Sequence, residues 1–88
     1  MEELNQRFEQ SQQQVKTLTQ RPANEHLLSL YGLYKQAVSG DVTGSAPSMF
    51  KMAEHAKYQA WKALSGLDAA ECKRRYVELV DSLLKKHG

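Results

Sequence analysis

Apolar positions in this chain recur at helical spacing in four separate stretches. In the first, over residues 2–19, Leu4, Phe8, Ser11, Val15 and Leu18 fall at steps of four, three, four and three. Those steps line one stripe of a helix, and Glu, Gln, Arg and Asn fill the remaining faces. Arg21-Pro22 ends the stretch, because a proline ring crowds helical geometry at the residue before it. The second stretch predicts a helix over 24–39. Asn24 is placed as its N-cap, Glu25 lies in the first turn where the helix dipole favours an anion, and Gly40 is the expected stop. This helix has too many apolar positions for one stripe. Leu30, Leu33 and Ala37 form one face, and Leu27, Tyr31, Tyr34 and Val38 form an adjoining one that is left over for a ligand.

A polar loop over 40–47 follows, rich in turn formers. A third helix is expected over 48–64. Met49, Ala53, Ala56 and Ala60 share one of its faces, and Phe50, Lys57, Trp61 and Leu64 another. Ser65-Gly66 ends it. Asp68 then caps a fourth helix, with Glu71 three residues on in the manner of a capping box. Cys72, Tyr76, Leu79, Val80, Leu83 and His87 run down its buried side, and Lys85 and Lys86 suit the negative end of the dipole. With no strand pattern anywhere, the fold class is all-α, a four-helix bundle forming one domain over residues 1–88.

Composition changes this picture little. The chain has no isoleucine and is dominated by good helix formers. Its net charge of +2 is too small to point to nucleic acid. The charge is uneven, however. Residues 1–50 carry four Lys/Arg against five Asp/Glu, and residues 51–88 carry eight against five, so a local positive surface is expected. The single cysteine, Cys72, excludes an internal disulfide and fits a reducing compartment. Met1-Glu2-Glu3-Leu4-Asn5 is neither a secretory nor a transit leader, and no stretch approaches the ~20 apolar residues that span a bilayer. The cytoplasm is the expected location.

Candidate chemistry centres on the second helix. Tyr31, Tyr34 and Lys35 stand at i, i+3 and i+4 and converge on one patch. Rings stack on flat bases, phenols donate hydrogen bonds and a lysine meets phosphate as a point charge. The same residues also suit a bundle rim with a solvated lysine. Lys57 and Trp61, four apart on the third helix, can associate. Trp61 fits a core anchor, while Lys57 fits solvent and ligand contact equally. Lys73-Arg74-Arg75 reads as a solvated face rather than a nucleic-acid site. His26, His55 and His87 lack metal-ligand spacing. No Gly-rich phosphate loop or nucleophile motif occurs, so an enzyme is not expected.

Taken in order, Leu30-Tyr31-Gly32-Leu33-Tyr34-Lys35-Gln36-Ala37, Gly40-Asp41-Val42, Pro47, Lys57-Tyr58-Gln59-Ala60-Trp61, Gly66 and Tyr76 resemble the signature of the acyl-CoA-binding proteins over almost the whole chain. The resemblance implies an up-down-down-up four-helix bundle that binds medium- to long-chain fatty acyl-CoA esters as a carrier and buffer, without a cofactor or metal. It implies a monomer that meets acyl-CoA-using enzymes or membrane surfaces transiently. By position, Tyr31, Lys35 and Lys57 match the residues that hold the ribose 3′-phosphate of CoA. Tyr34 and Tyr76 match aromatics lining the adenine and acyl region, Lys16 matches a ligand-contacting lysine, and Leu27 and Leu28 match apolar positions near the tail. The chain departs from the family pattern at Gln12, where a small residue is usual, and at Tyr58, where tryptophan is common. Met52, Ala53 and His55 also replace a more basic stretch.

Overall fold

A computed structural model describes residues 2–87, with the side chain of His87 outside the described residues. The expected burial of His87 therefore lies outside them as well. Four α-helices occur among the described residues: α1 (Glu2–Gln14), α2 (Asn24–Ser39), α3 (Met52–Lys62) and α4 (Ala69–His87). α1 is shorter than its apolar stripe, because Val15–Thr17 tightens into a single 3-10 turn. Asn24 is the first residue of α2 rather than its cap. Ala23 occupies the cap position, and the Asn24 Oδ1 accepts a hydrogen bond from Arg21 at 3.1 Å. α2 ends as expected: Gly40 adopts φ 77° and its N–H donates to the Gln36 carbonyl. Asp68 caps α4, its Oδ1 accepting the Glu71 N–H at 2.7 Å. Glu71 does not complete the box, because its carboxylate is held by Arg74 and Arg75.

Cross-helix contacts give the direction of each element. Lys73 of α4 donates to Asn5 of α1, and Tyr76 meets Phe8, so positions rise together and α1 and α4 run parallel. Tyr31 meets Lys57 and Lys35 meets Trp61, so α2 and α3 are also parallel. Gln36, near the end of α2, reaches the Leu67 carbonyl just before α4, which makes those two antiparallel. The sense is up-down-down-up.

The helices lie side by side in the order α3, α2, α4, α1, and among the described residues the backbones of α1 and α2 do not meet. The result is a slab of 35 × 31 × 15 Å, little thicker than one helix. α4 lies under both α1 and α2 and supplies most of the core: Cys72, Tyr76, Val77, Val80 and Leu83 are buried against Phe8, Leu30 and Leu33. Leu79, expected on the buried side, is half-buried, and Val77 takes its place. None of the described residues of α3 is buried, since it packs on α2 alone.

α3 also starts later than expected. A turn built on Ser48 precedes it, with Lys51 N–H donating to the Ser48 carbonyl at 2.9 Å and Phe50 N–H to its Oγ at 3.2 Å. Met49 and Phe50 therefore project from a turn and line no helix face. Met49 is 77% exposed and Phe50 98%.

Candidate functional site

Gly32 sets the approach of α2 to α3. A Cβ at this position would lie 2.8 Å from the Ala60 carbonyl oxygen, so only glycine lets the backbones come this close. N-terminal to that contact on both helices, the small side chains of Ala53 and Ala56 leave space against Leu27, Leu28 and Tyr31. A mostly apolar cleft of about 340 Å³ lies there, with Lys57 on its wall and Arg21 and Asn24 at one end.

A second hollow of about 360 Å³ adjoins the first and shares Leu27 and Tyr31 with it. It lies over α4, where α1 and α2 stand apart, and is lined further by Val15, Pro22, Leu30, Tyr34 and Tyr76. Its aromatic wall is fixed by Phe8, which stacks on Tyr34 at 6.2 Å and meets Tyr76 edge-on at 5.1 Å. Burial, and then the neighbouring Tyr34, push the Tyr76 phenol above its ordinary pKa, so at neutral pH it stays protonated and able to donate. A third hollow shares Tyr34 and is lined by Phe8, Gln12, Val38 and Lys73.

Two lysines face rings across the α2–α3 seam. The Lys57 Nζ lies 5.5 Å from the Tyr31 ring centre, and the Lys35 Nζ 4.9 Å from that of Trp61. Each helix contributes one ring and one cation, four residues apart, in opposite order. The pairing expected within α3, Lys57 on Trp61, is thus replaced by two rungs between helices. Cation–π attraction places each ammonium over a ring of the neighbouring helix. Trp61 is not a core anchor either. It is half-buried, and its Nε1–H donates to the Gly40 carbonyl at 2.8 Å.

Of the residues singled out in the sequence, Leu27, Leu28, Tyr31 and Lys57 share the first cleft, and Leu27, Tyr31, Tyr34 and Tyr76 share the second. Lys35 lines neither and sits one helical turn beyond Tyr31. Lys16 is exposed on the 3-10 turn and also lines neither, although its neighbour Val15 lines the second hollow. The basic run on α4 is occupied elsewhere: Arg74 pairs with Glu71 and Glu78, Arg75 with Glu71, and Lys73 with Asn5 and the Phe8 ring. Among the described residues no cluster of metal-ligating side chains occurs.

Sequence reasoning missed the polar joint that holds this frame. The buried Gln36 side chain donates through Nε2 to Asp41 Oδ1 at 2.7 Å and to the Leu67 carbonyl at 3.0 Å. Asp41 also accepts the Gly66 N–H at 2.8 Å. One carboxylate so ties the end of α2 to the α3–α4 turn. The Gly40-Asp41 dipeptide was the available signal, since an aspartate beside a turn glycine often binds nearby backbone N–H groups. The loop that follows is laced to α3 by three ring groups. Besides Trp61, Tyr58 OH donates to the Gly44 carbonyl at 3.1 Å, and His55 Nδ1 lies 3.0 Å from the Pro47 carbonyl. The unusual Tyr58 and His55 thus serve as loop anchors.

Fold and clefts together define a small helical module with an apolar, ring-lined surface and cations at its edge. The family model described as "Acyl CoA binding protein" matches residues 5–80. The acyl-CoA-binding domain-containing protein 6 of Arabidopsis thaliana is 49% identical over 82 residues, covering 93% of this chain and 89% of the relative. The acyl-CoA-binding protein of Dictyostelium discoideum is 45% identical over 81 residues, covering 92% and 96%. The crystal structure of Oryza sativa acyl-CoA-binding protein 2 superposes with a TM-score of 0.90 at 40% identity, covering 94% of this chain and 90% of that one. The chain belongs to the acyl-CoA-binding protein family. That membership places it among binding proteins rather than enzymes.

Proposed function

We propose that this protein binds fatty acyl-CoA esters of medium to long chain and acts as their cytoplasmic carrier and buffer, handing them to acyl-using enzymes. The observation that carries the proposal is the junction of two hollows at Leu27 and Tyr31, one apolar with a lysine on its wall and the other lined by tyrosines. An acyl-CoA has the same two-part chemistry: a long alkyl tail, and a flat base carrying phosphates. In this reading the tail lies along Leu27, Leu28 and the Ala53–Ala56 wall, and Tyr31, Lys35 and Lys57 hold the 3′-phosphate. Tyr34 and Tyr76 receive the adenine, with Lys16 reaching in from the 3-10 turn.

Magnitudes support a joint requirement for both halves of the ligand. A charge-assisted hydrogen bond to phosphate contributes about 1.5–3 kcal/mol. Each buried methylene adds at most about 0.8 kcal/mol. Neither half alone reaches the affinity of the whole. Calorimetric titration with palmitoyl-CoA, palmitate and CoA tests this. Palmitoyl-CoA is expected to bind at least about a hundredfold more tightly than either fragment. No heat and no change in Trp61 fluorescence with palmitoyl-CoA would favour a helical protein-interaction module that has kept the fold and lost the ligand.

A further inference from the structure

The first cleft has a cation towards each end and no acidic residue on its walls. Lys57 stands at the Tyr31 end, its Nζ over the Tyr31 ring, and Arg21 stands at the other, just ahead of α2. Between them Leu27, Leu28 and Ala53 line an apolar stretch. The Arg21 Nη1–H donates to Asn24 Oδ1 at 3.1 Å, and the two side chains border the cleft together. That bond engages the amide oxygen. What the pair has left to offer is then chiefly N–H donors, the rest of the guanidinium fork and the Asn24 amide nitrogen. Among the described residues Arg21 is ion-paired with no carboxylate. Glu25 and Glu54, in the first turns of α2 and α3, do not line the cleft. An alkyl tail that ends in a methyl group offers these donors nothing.

From this arrangement we infer that the cleft takes acyl-CoA esters whose tail ends in a carboxylate, the mono-CoA esters of dicarboxylic acids, with Arg21 and Asn24 binding the terminal carboxylate. The inference rests on the acyl-CoA reading, in which the phosphate lies at Tyr31, Lys35 and Lys57 and the far end of the tail therefore lies at Arg21. From Tyr31 back to Asn24, α2 runs about 10 Å. An extended alkyl chain covers that distance in about eight bonds at roughly 1.2 Å each, so a tail of medium length reaches. A guanidinium grips a carboxylate through two parallel N–H···O bonds, a geometry that an ammonium does not reproduce. A carboxylate halted in the apolar stretch would lose its water and gain no partner. Only a tail that spans the cleft therefore gains from its charge. The methylenes supply affinity, and the terminal pair supplies the choice between tails.

The test is calorimetric titration of the whole protein with dodecanoyl-CoA and dodecanedioyl-CoA, which differ only at the end of the tail. Hexanoyl-CoA and hexanedioyl-CoA, too short to reach Arg21, form the control pair. Native protein is compared with Arg21→Gln and Arg21→Lys. The affinity ratio of dodecanedioyl-CoA to dodecanoyl-CoA is expected to be about fivefold higher in native protein than in Arg21→Gln, with Arg21→Lys between the two. Taking the ratio cancels any loss of arginine stem packing that both tails share. The difference should shrink as salt rises, and the hexanoyl pair should show none. An unchanged ratio in Arg21→Gln overturns the proposal. So does an equal gain for the hexanoyl pair, which would place the carboxylate on another cation. Binding of dodecanoyl-CoA with no dependence of the ratio on Arg21 removes this inference alone, whereas failure of both dodecyl esters to bind removes the acyl-CoA reading with it.

Discussion

Lys57 of α3 holds its ammonium 5.5 Å from the ring centre of Tyr31 on α2, and the pair closes one wall of the first cleft. One turn further along, Lys35 stands in the same way over Trp61. Two cations are thereby parked on rings along one seam, where a phosphate can draw them off at little cost. An exposed cation–π contact contributes only about 0.5–1 kcal/mol, less than the charge-assisted bond that replaces it.

This inequality leads to the first prediction. Lys35→Ala is expected to lower palmitoyl-CoA affinity by at least about tenfold, near 1.5 kcal/mol, while costing no more than about 1 kcal/mol of folding stability. Calorimetry and urea unfolding on the same preparations check the two halves. Equal affinities would remove Lys35 from the site.

Gly32→Ala tests the seam itself. The added Cβ would meet the Ala60 backbone oxygen at 2.8 Å, and backbone cannot turn aside as a side chain does. α2 and α3 must separate, at an expected cost of about 1–3 kcal/mol in urea unfolding. Palmitoyl-CoA affinity should fall with it, because Tyr31 and Lys57 face each other only while the helices touch. Unchanged stability would show that this approach is looser than described.

Much of this architecture was legible in the sequence, and its failures share a cause. The stripe through Phe8 and Ser11, the stop at Gly40 and the cap at Asp68 are local features, set by spacing and turn chemistry, and all three hold. Periodicity set Phe50 on a face of the third helix because it reads spacing alone, whereas a turn at Ser48 leaves this residue ahead of α3 and in water. It also paired Lys57 with Trp61 along one helix. The true partner, Tyr31, depends on the register between α2 and α3, which no single stretch encodes. Gln36 escaped because a buried amide leaves no mark in an amphipathic pattern. Gly32 did leave one, a glycine in mid-helix between Tyr31 and Leu33, where close packing is the usual reason.

Cys72 is fully buried, and burial raises its thiol pKa. The thiol is therefore protonated and shielded at neutral pH. Reaction with Ellman's reagent is expected only through unfolding, at a rate that rises with urea and falls when palmitoyl-CoA is added. Rapid labelling of the native protein would contradict the packing of α4.

Acid stability follows from Asp41. The Gly66 N–H, and then the Gln36 amide, hold its carboxyl below the usual carboxylate range. A lowered native pKa means that the unfolded chain takes up the proton first. The contribution to stability is then whole above about pH 4 and is lost as pH falls through the native value. Glu71, held low by Arg74 and Arg75, acts with the same sign. The thermal midpoint should drop on acidification below about pH 4, and less steeply in Asp41→Asn. A variant as acid-sensitive as the native protein would exclude Asp41 from the effect.

Titration of the ¹⁵N-labelled protein with palmitoyl-CoA, followed by amide chemical shifts, bears most directly on the binding surface. Shifts are expected to concentrate at Leu27, Leu28, Tyr31, Tyr34, Ala53, Ala56 and Lys57, and to spare Arg74, Glu78 and Ser82 on the exposed side of α4. An unchanged spectrum, or shifts centred on that exposed side of α4, would contradict the assignment of the α2–α3 cleft and its tyrosine-lined neighbour as the acyl-CoA site.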